Sequence, residues 1–188
     1  MKRIENYETV QASSGEFSRP TAGGYIVEIV GVKNIEYDSR TGKGDYLVVD
    51  YDIAHGDFKG YYTEAHEKFG GDWWANFYRS YKESALGMFK HFINCVEASN
   101  PDYKWDWNEY GLLHQFVGIV LGEEEYRKND GSIGTRLKVK EIKTTEQILA
   151  GDFKIPERKT LIEAEVENNS ASVFEDVTNS GVKLPWEN

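Results

Sequence analysis

Alternating apolar and polar residues predict two strands near the start of the chain. The stretch "GGYIVEIVGVKNIEY" is rich in β-branched and aromatic residues, and Gly31 inside it predicts a bulge or sharp bend. The stretch "DYLVVDYDIAHG" predicts a second strand with one core-facing side and one outer side that carries Asp50 and Asp52. Its predicted core-facing residues are Leu47, Val49, Tyr51 and Ile53.

The pattern continues with a third strand, a helix and two more strands. We expect "YYTEAHEKF" to form the third strand and "LLHQFVGIVLGEEEY" and "TRLKVKEIKT" to form a hairpin around an Asp-Gly turn. Asn100-Pro101 ends the predicted helix, and "TTEQILAGDFKIPE" predicts a helical turn followed by an extended exit. Helical spacing relates Tyr81, Ala85, Met88, Phe89, Phe92, Ile93 and Val96.

This order of elements predicts a mainly β protein with one main helix. Three strands, a helix and two strands is the order of the five-stranded OB-fold barrel, with its helix between strands 3 and 4. An unrelated small β-barrel or an α+β sheet is also compatible with the pattern. We divide the chain into an N-terminal arm (1–22), an OB-fold-like domain (23–159) and a disordered acidic tail with an apolar tip (160–188).

Charge is unevenly distributed along the 188 residues, whose net charge is −10. Residues 160–188 contain six acids and one base, whereas residues 126–143 contain six bases and two acids. The total argues against a nucleic-acid partner, but the local basic segment argues for one. No apolar run resembles a signal peptide or approaches the roughly 20 residues of a membrane span, so we expect a cytoplasmic protein without a membrane partner.

No catalytic or metal-binding motif stands out, so we predict a protein that is not an enzyme and has no cofactor. Cys95 is the only cysteine, which excludes an internal disulfide and a cysteine-based metal site, and its place on the helix predicts a core residue. Glu64 and His66 would share a face of the third strand. A small metal-dependent hydrolase built on that pair is the weakest of three functional hypotheses.

Basic residues on the last strand and in two turns predict a nucleic-acid-binding surface. Arg136, Lys138 and Lys140 alternate with Leu137 and Val139, so they form a row with a spacing of about 6.7 Å, which can track a phosphate backbone. An ordinary amphipathic strand with a basic outer face is the alternative. The turns that flank an OB-fold groove add Arg40, Lys43, Arg127 and Lys128 to the predicted site.

Aromatic residues are concentrated between positions 58 and 81, where nine of them fall. Tyr46 and Tyr62 lie on the predicted second and third strands, where OB-folds stack bases. Trp74, or Tyr78 with Arg79, is a candidate stacking platform, with burial against the barrel as the alternative. We expect a second aromatic group, Tyr103, Trp105 and Trp107, to cover the barrel end.

Several segments together resemble a family of proteins from phages and prophages of Gram-positive hosts, which are often uncharacterised or labelled single-stranded DNA-binding. These segments include "AGGYIVEIVGV", "YDIAHGDFKGYY", "RSYKESALGMFKHFINCVEASNPDYKWDW", "LGEEEYRKNDGSIGTRLKV" and "GDFKIPE", within residues 4–158. The resemblance implies an OB-type domain and a role in phage replication or recombination inside a bacterial cell. It implies single-stranded DNA as the partner and assigns no site residue.

The C-terminus resembles the acidic tails of bacterial and phage single-stranded DNA-binding proteins, which end in a short apolar tip. Leu184, Pro185 and Trp186 take the place of the tip, although its acids are sparse and Glu187-Asn188 follow the aromatic residue. The resemblance implies that the tip binds a replication or recombination protein, while packing on its own barrel or on a second copy is the alternative. The acidic charge also supports a second functional hypothesis, an inhibitor that mimics DNA and binds a host protein. The sequence is compatible with a homo-oligomer.

Overall fold

Five strands and three α-helices form the part of the chain that the computed structural model describes, residues 19–42 and 44–161. The strands are β1 (Gly23–Ile35), β2 (Tyr46–Ile53), β3 (Asn76–Ser80), β4 (Phe116–Arg127) and β5 (Ile133–Lys143). The helices are α1 (Tyr61–Phe69), α2 (Leu86–Ser99) and α3 (Thr145–Leu149), with short 3-10 helices at Glu83–Ala85 and Glu109–Leu112.

All five strands belong to one antiparallel sheet with the order β3-β2-β1-β4-β5. The sheet is not closed by hydrogen bonds, so β3 and β5 are its edges. The prediction of a mainly β protein with five strands is therefore confirmed, and the longest helix, α2, lies between β3 and β4 in the chain. The register of β1 shifts between Ile29 and Gly31, which confirms the predicted bulge.

The predicted third strand is wrong, because "YYTEAHEKF" folds as helix α1. The Asp52 carboxylate accepts hydrogen bonds from the backbone N–H groups of Tyr62 and Thr63, both at 3.0 Å, at the start of this helix. A carboxylate in this position stabilises a helix N-terminus by satisfying its unpaired donors. The true third strand is "NFYRS", which pairs with β2 through Val49 and Phe77.

The core lies on one face of the sheet, beneath α2. The predicted core-facing residues of β2 are all buried, and α2 adds Phe92 and Val96, whose side chains are fully buried. The predicted exposure of Asp50 and Asp52 is wrong, because both residues are buried. Asp52 is covered by α1, whose N-terminus it binds, and Asp50 lies against the bulge at Gly31.

The segment after β5 covers the other face of β1 and β4. It forms the predicted helical turn, α3, and then runs in an extended conformation to Lys159, which pairs with β4 through Glu123 and Glu125. Close packing requires Gly24 here, because a Cβ atom at this position would lie 2.5 Å from the Phe153 ring. None of the helices in residues 19–42 and 44–161 has the length and apolar character needed to span a bilayer.

Candidate nucleic-acid interface

A cleft with a volume of about 330 Å³ lies between the two edge strands of the sheet. Ala75 and Asn76, at the start of β3, form one side, and residues 135–137 of β5 form the other. The remaining lining residues are Arg19, Pro20, Tyr51, Tyr61, Tyr62, Trp74 and Glu123. The cleft therefore combines aromatic surface with polar and charged groups, as small-molecule and cofactor sites commonly do.

Four aromatic residues form a connected group in the cleft. The ring of Tyr62 makes edge-to-face contacts with Tyr51 at 5.7 Å, Tyr61 at 5.2 Å and Trp74 at 6.3 Å between centroids. Tyr62 is buried, whereas Trp74 keeps 50% of its surface exposed. Trp74 is therefore the member of this group that offers the most surface to a ligand.

Two tyrosine hydroxyls at the cleft remain protonated over the physiological pH range. Burial raises the pKa of Tyr62 to about 12 and raises the pKa of Tyr51 further. A protonated tyrosine hydroxyl is a hydrogen-bond donor, so both of these lining residues keep a donor group at neutral pH.

The predicted row of cations on β5 gathers around one buried carboxylate. Glu124 is bound by Arg136 at 2.8 Å and by Lys138 and Lys140 at 3.3 Å each. Burial alone would raise the pKa of Glu124, but the hydrogen bond from Arg136 and the charge of Lys138 outweigh it, with Lys140 contributing, and lower this pKa to about 2. The three predicted cations therefore do lie side by side on β5, but Glu124 neutralises one of their three positive charges.

Arg136 also belongs to the cleft, so the row of cations and the aromatic group are adjacent. Its guanidinium lies 5.2 Å from the centroid of the Tyr126 ring, which restrains its position together with Glu124. The side chains of Arg136 and Lys138 are nearly half exposed, at 46% and 47%. They can therefore contact a phosphate without first leaving a buried environment.

A second aromatic surface lies on the outer face of β2 and β3. Tyr46 and Tyr78 meet edge to face with their centroids 5.5 Å apart, and Tyr78 is 58% exposed. Arg79 is not part of this surface, because its guanidinium lies on the inner face, 4.7 Å from the centroid of Phe77. Burial there lowers the pKa of Arg79 to about 10. The hypothesis of a joint Tyr78–Arg79 platform is therefore wrong.

The basic turns lie at opposite ends of β3. Ser80, at one end, pairs with Tyr46 beside the β1–β2 turn, where Arg40 is exposed and forms a 3.4 Å ion pair with Asp38. The other end of β3 lines the cleft together with β5, which follows the turn that begins at Lys128, directly after Arg127 at the end of β4. Lys43 lies outside the described residues, as do Leu184, Pro185 and Trp186.

The structure brings some predicted residues together and separates others. Trp74, Arg136 and Lys138 lie at or beside the cleft, and Tyr46 with Tyr78 forms the neighbouring surface. Tyr62 was assigned to the wrong element and is mostly covered, but it still contributes to the cleft. The sequence analysis did not identify Tyr61, Asn76, Glu123, Glu124 or Thr135 as site residues.

The structure also shows the positions of Glu64, His66, Cys95 and the second aromatic group. Glu64 and His66 are two residues apart on α1, so they do not face each other. In residues 19–42 and 44–161, no three His, Cys, Asp or Glu residues are grouped in a way that could hold a metal ion. Cys95 is buried, as predicted. In the second aromatic group, Tyr103 and Trp105 pack against the core, but Trp107 is 82% exposed and covers little.

Three features thus define the candidate interface: the cleft, the row of cations beside it, and the Tyr46–Tyr78 surface. Each of them includes residues of an edge strand: the cleft lies between β3 and β5, the cations lie on β5, and the Tyr46–Tyr78 surface lies on β3 and the adjacent β2. A comparison with protein-family models finds no match to this chain, and a comparison with curated proteins finds none either.

Proposed function

We propose that the protein binds single-stranded DNA without sequence specificity, in phage or prophage replication or recombination, and that its sheet is an open form of the OB-fold barrel. The observation that carries the proposal is that the exposed ring of Trp74 lines the same cleft as the half-exposed Arg136, which shares Glu124 with the half-exposed Lys138. Proteins that bind single strands combine these two elements, because cations neutralise phosphates while aromatic rings stack on bases.

The proposed OB-fold rests on the order of the strands and the place of the helix. In that fold the two edges of the present sheet, β3 and β5, would lie next to each other, and both contribute residues to the cleft. The helix after the third strand would cover one end of the barrel, and α2 packs there against Phe77 of β3. Bound DNA would then cross the outer face of β2 and β3 and reach the cleft.

Stacking on Trp74 and Tyr78 would favour single strands over duplexes. A base within a duplex is already stacked on its neighbours, whereas each base of a single strand has an accessible face. Phosphate contacts carry no sequence information, and stacking tolerates every base. We therefore expect strong discrimination between single and double strands and weak discrimination between sequences.

The chain has a net charge of −10, but the three glutamates of β4 that lie nearest these cations are paired and do not face a ligand as free carboxylates. Glu124 is enclosed by three cations. Glu123 and Glu125 contact Arg158 at 4.0 and 2.9 Å. The run of three glutamates is consequently not a free acidic surface.

The alternative function is an acidic module that mimics DNA and binds a host protein. A run of acids such as Glu123–Glu125 would suit such a module if it were free, but all three glutamates contact cations. A pull-down that recovers one host nuclease from a protein without DNA affinity would favour the alternative. The proposed role of Leu184, Pro185 and Trp186 in binding a replication or recombination protein is separate: Trp186→Ala should preserve DNA affinity and abolish that recruitment.

The test is a titration of the full-length protein with a fluorescent oligo-dT and with a duplex of the same length. We expect anisotropy to report tight binding of oligo-dT that weakens steeply between about 50 and 200 mM salt, with much weaker binding of the duplex. Lys138→Gln should weaken binding and reduce the salt dependence by about one phosphate contact.

The matched control is Lys90→Gln, which removes the same charge from an exposed position on α2. We expect this variant to bind like the wild type. The absence of oligo-dT binding at low salt would refute the proposed function. Equal losses in the Lys90 and Lys138 variants would refute the assignment of the interface to β5.

A further inference from the structure

The cleft differs from the Tyr46–Tyr78 surface because it is concave and has polar groups beside its aromatic walls. We propose that it accepts one base of a bound strand, taken out of the stack, while the neighbouring bases lie on the outer surface. This inference rests on the proposed function and extends it from general stacking to one specific base-binding pocket. The ligand class is a nucleobase with its attached phosphate.

The size and shape of the cleft fit a ligand of this class. Its volume of about 330 Å³ lies at the lower end of the range of roughly 300–1,000 Å³ for small-molecule sites. One wall is Trp74, half exposed, and its ring is supported by the edge-to-face contact with Tyr62. A supported but exposed ring can stack on a flat heterocycle without losing contacts of its own.

Polar groups that line the cleft can form hydrogen bonds with the edge of a base. Asn76 donates its side-chain N–H to the Trp73 carbonyl at 3.2 Å, which leaves its amide oxygen as an acceptor. Tyr51 and Tyr62 also line the cleft, and a protonated tyrosine hydroxyl is a hydrogen-bond donor. A nucleobase edge carries both donors and acceptors, so it matches this pair of functions better than an apolar side chain does.

The charges of the lining place the phosphate at the rim rather than inside. Arg19 and Arg136 are both lining residues, and Arg136 extends the row of cations on β5. Glu123 is the acid of the lining and is paired with Arg158 at 4.0 Å, so we assign the phosphate to the half-exposed Arg136. With one base inside the cleft and its phosphate at Arg136, the strand would continue along the row of cations at Lys138.

The test is an abasic scan of a short oligo-dT, which removes one base at a time and leaves the phosphates in place. The oligonucleotide is first shortened to the smallest length that keeps full affinity, so that it cannot slide along the protein. We expect one interior position at which base removal weakens binding by roughly 5- to 100-fold, as stacking energies imply, and smaller losses elsewhere.

Variants of Trp74 connect that position to the cleft. Trp74→Ala should weaken binding of the intact oligonucleotide by a similar factor and should abolish the special sensitivity of that position. Trp74→Phe, which keeps an aromatic face, should restore most of both effects. Tyr78→Ala is the matched comparison, because it removes an exposed ring outside the cleft and should leave the special position in place.

The results separate this inference from the proposed function. If the intact oligonucleotide does not bind at low salt, the proposed function fails. If it binds but every abasic position has the same effect, or the profile is unchanged in Trp74→Ala, the base pocket alone is refuted. Mononucleotides that bind as tightly as the oligonucleotide would also refute it, because the cleft would then be a site for free nucleotides.

Discussion

The space between β3 and β5 has two ends, and they differ in what fills them. At the closed end, Phe92 of α2 is fully buried against Phe77, with ring centroids 5.4 Å apart. The Arg79 guanidinium lies over the same two rings. At the open end, Tyr61 and Tyr62 of α1 line the cleft together with Trp74 and Arg136, which are each about half exposed.

We infer that the two ends of this space have different roles: the closed end stabilises the fold, and the open end is available for binding. Burying the apolar stripe of α2 stabilises the fold, because it removes large side chains such as Phe92 from water. The polar groups at the open end would be costly to bury without partners, so they stay accessible to water or to a ligand. Substitutions at the closed end should therefore change unfolding, and most at the open end should change binding.

The largest expected effect is the loss of stability in Phe92→Ala at the closed end. Truncating a fully buried phenylalanine costs about 3–5 kcal/mol, from lost burial and the cavity that remains. Urea denaturation monitored by circular dichroism measures this loss. Below the unfolding transition, oligo-dT affinity should equal that of the wild type, and a large loss of affinity would show that the two ends are not independent.

The next effect concerns Glu124, which should contribute to stability although it lies beside the open end. Its pKa of about 2, against an ordinary value of 4.5, means that the folded state favours the carboxylate. Its contribution, on the order of 3 kcal/mol, is full above about pH 4.5 and is lost as the pH falls toward 2.

Glu124→Gln isolates this contribution. The difference in unfolding free energy between the wild type and this variant should be large at pH 6 and should shrink progressively as the pH is lowered toward 3. Urea titrations at several pH values measure it. A difference that stays constant with pH would mean that Glu124 stabilises the fold through packing rather than through its charge.

A smaller effect is expected from Tyr78→Ala, which tests whether the binding surface extends beyond the cleft. Loss of one stacked base costs about 1–3 kcal/mol of binding free energy. Stability should change little, because Tyr78 is 58% exposed. Fluorescence anisotropy compares it with Tyr110→Ala, which removes a tyrosine that is 65% exposed on a 3-10 helix. Equal affinities of the two variants would confine the site to the open end.

The smallest effect should come from Arg40→Gln, in the turn at the other end of β3. This side chain is 90% exposed and, within the part of the chain that the structure describes, pairs with the nearby Asp38, so its loss should leave the unfolding free energy nearly unchanged. If the strand extends to this turn, the slope of log affinity against log salt should decrease in magnitude by about 0.7, the value for one phosphate of a single strand. An unchanged slope would place the turn outside the interface.

Local patterns predicted much of the sheet. The alternation in β2 identified its buried face, and the Asp-Gly turn identified the β4–β5 hairpin. The same hairpin contained an unused signal: a turn centred at Asp130 places Glu124 opposite Arg136, as the register shows. Cross-strand pairing therefore made the buried ion cluster predictable, although alternation within β5 alone did not reveal it.

The third strand was missed because two short segments compete for that position. "YYTEAHEKF" has the aromatic content of a strand, yet it folds as a helix because the Asp52 carboxylate binds its first N–H groups. That contact joins residues ten positions apart and is not visible in local periodicity. "NFYRS" is only five residues long, which is too short for alternation to distinguish it from the start of the next helix.

The sequence by itself determined which side chains share a face, because alternation along a strand follows from backbone geometry. It therefore defined the row of cations on β5 and the buried face of β2. Only the tertiary structure decided that Asn76 of β3 and Arg136 of β5 line the same cleft and that Trp74 contributes an exposed ring to it. Those outcomes depend on where α2 packs and how far the sheet curls, and both are set by contacts between residues far apart in the chain.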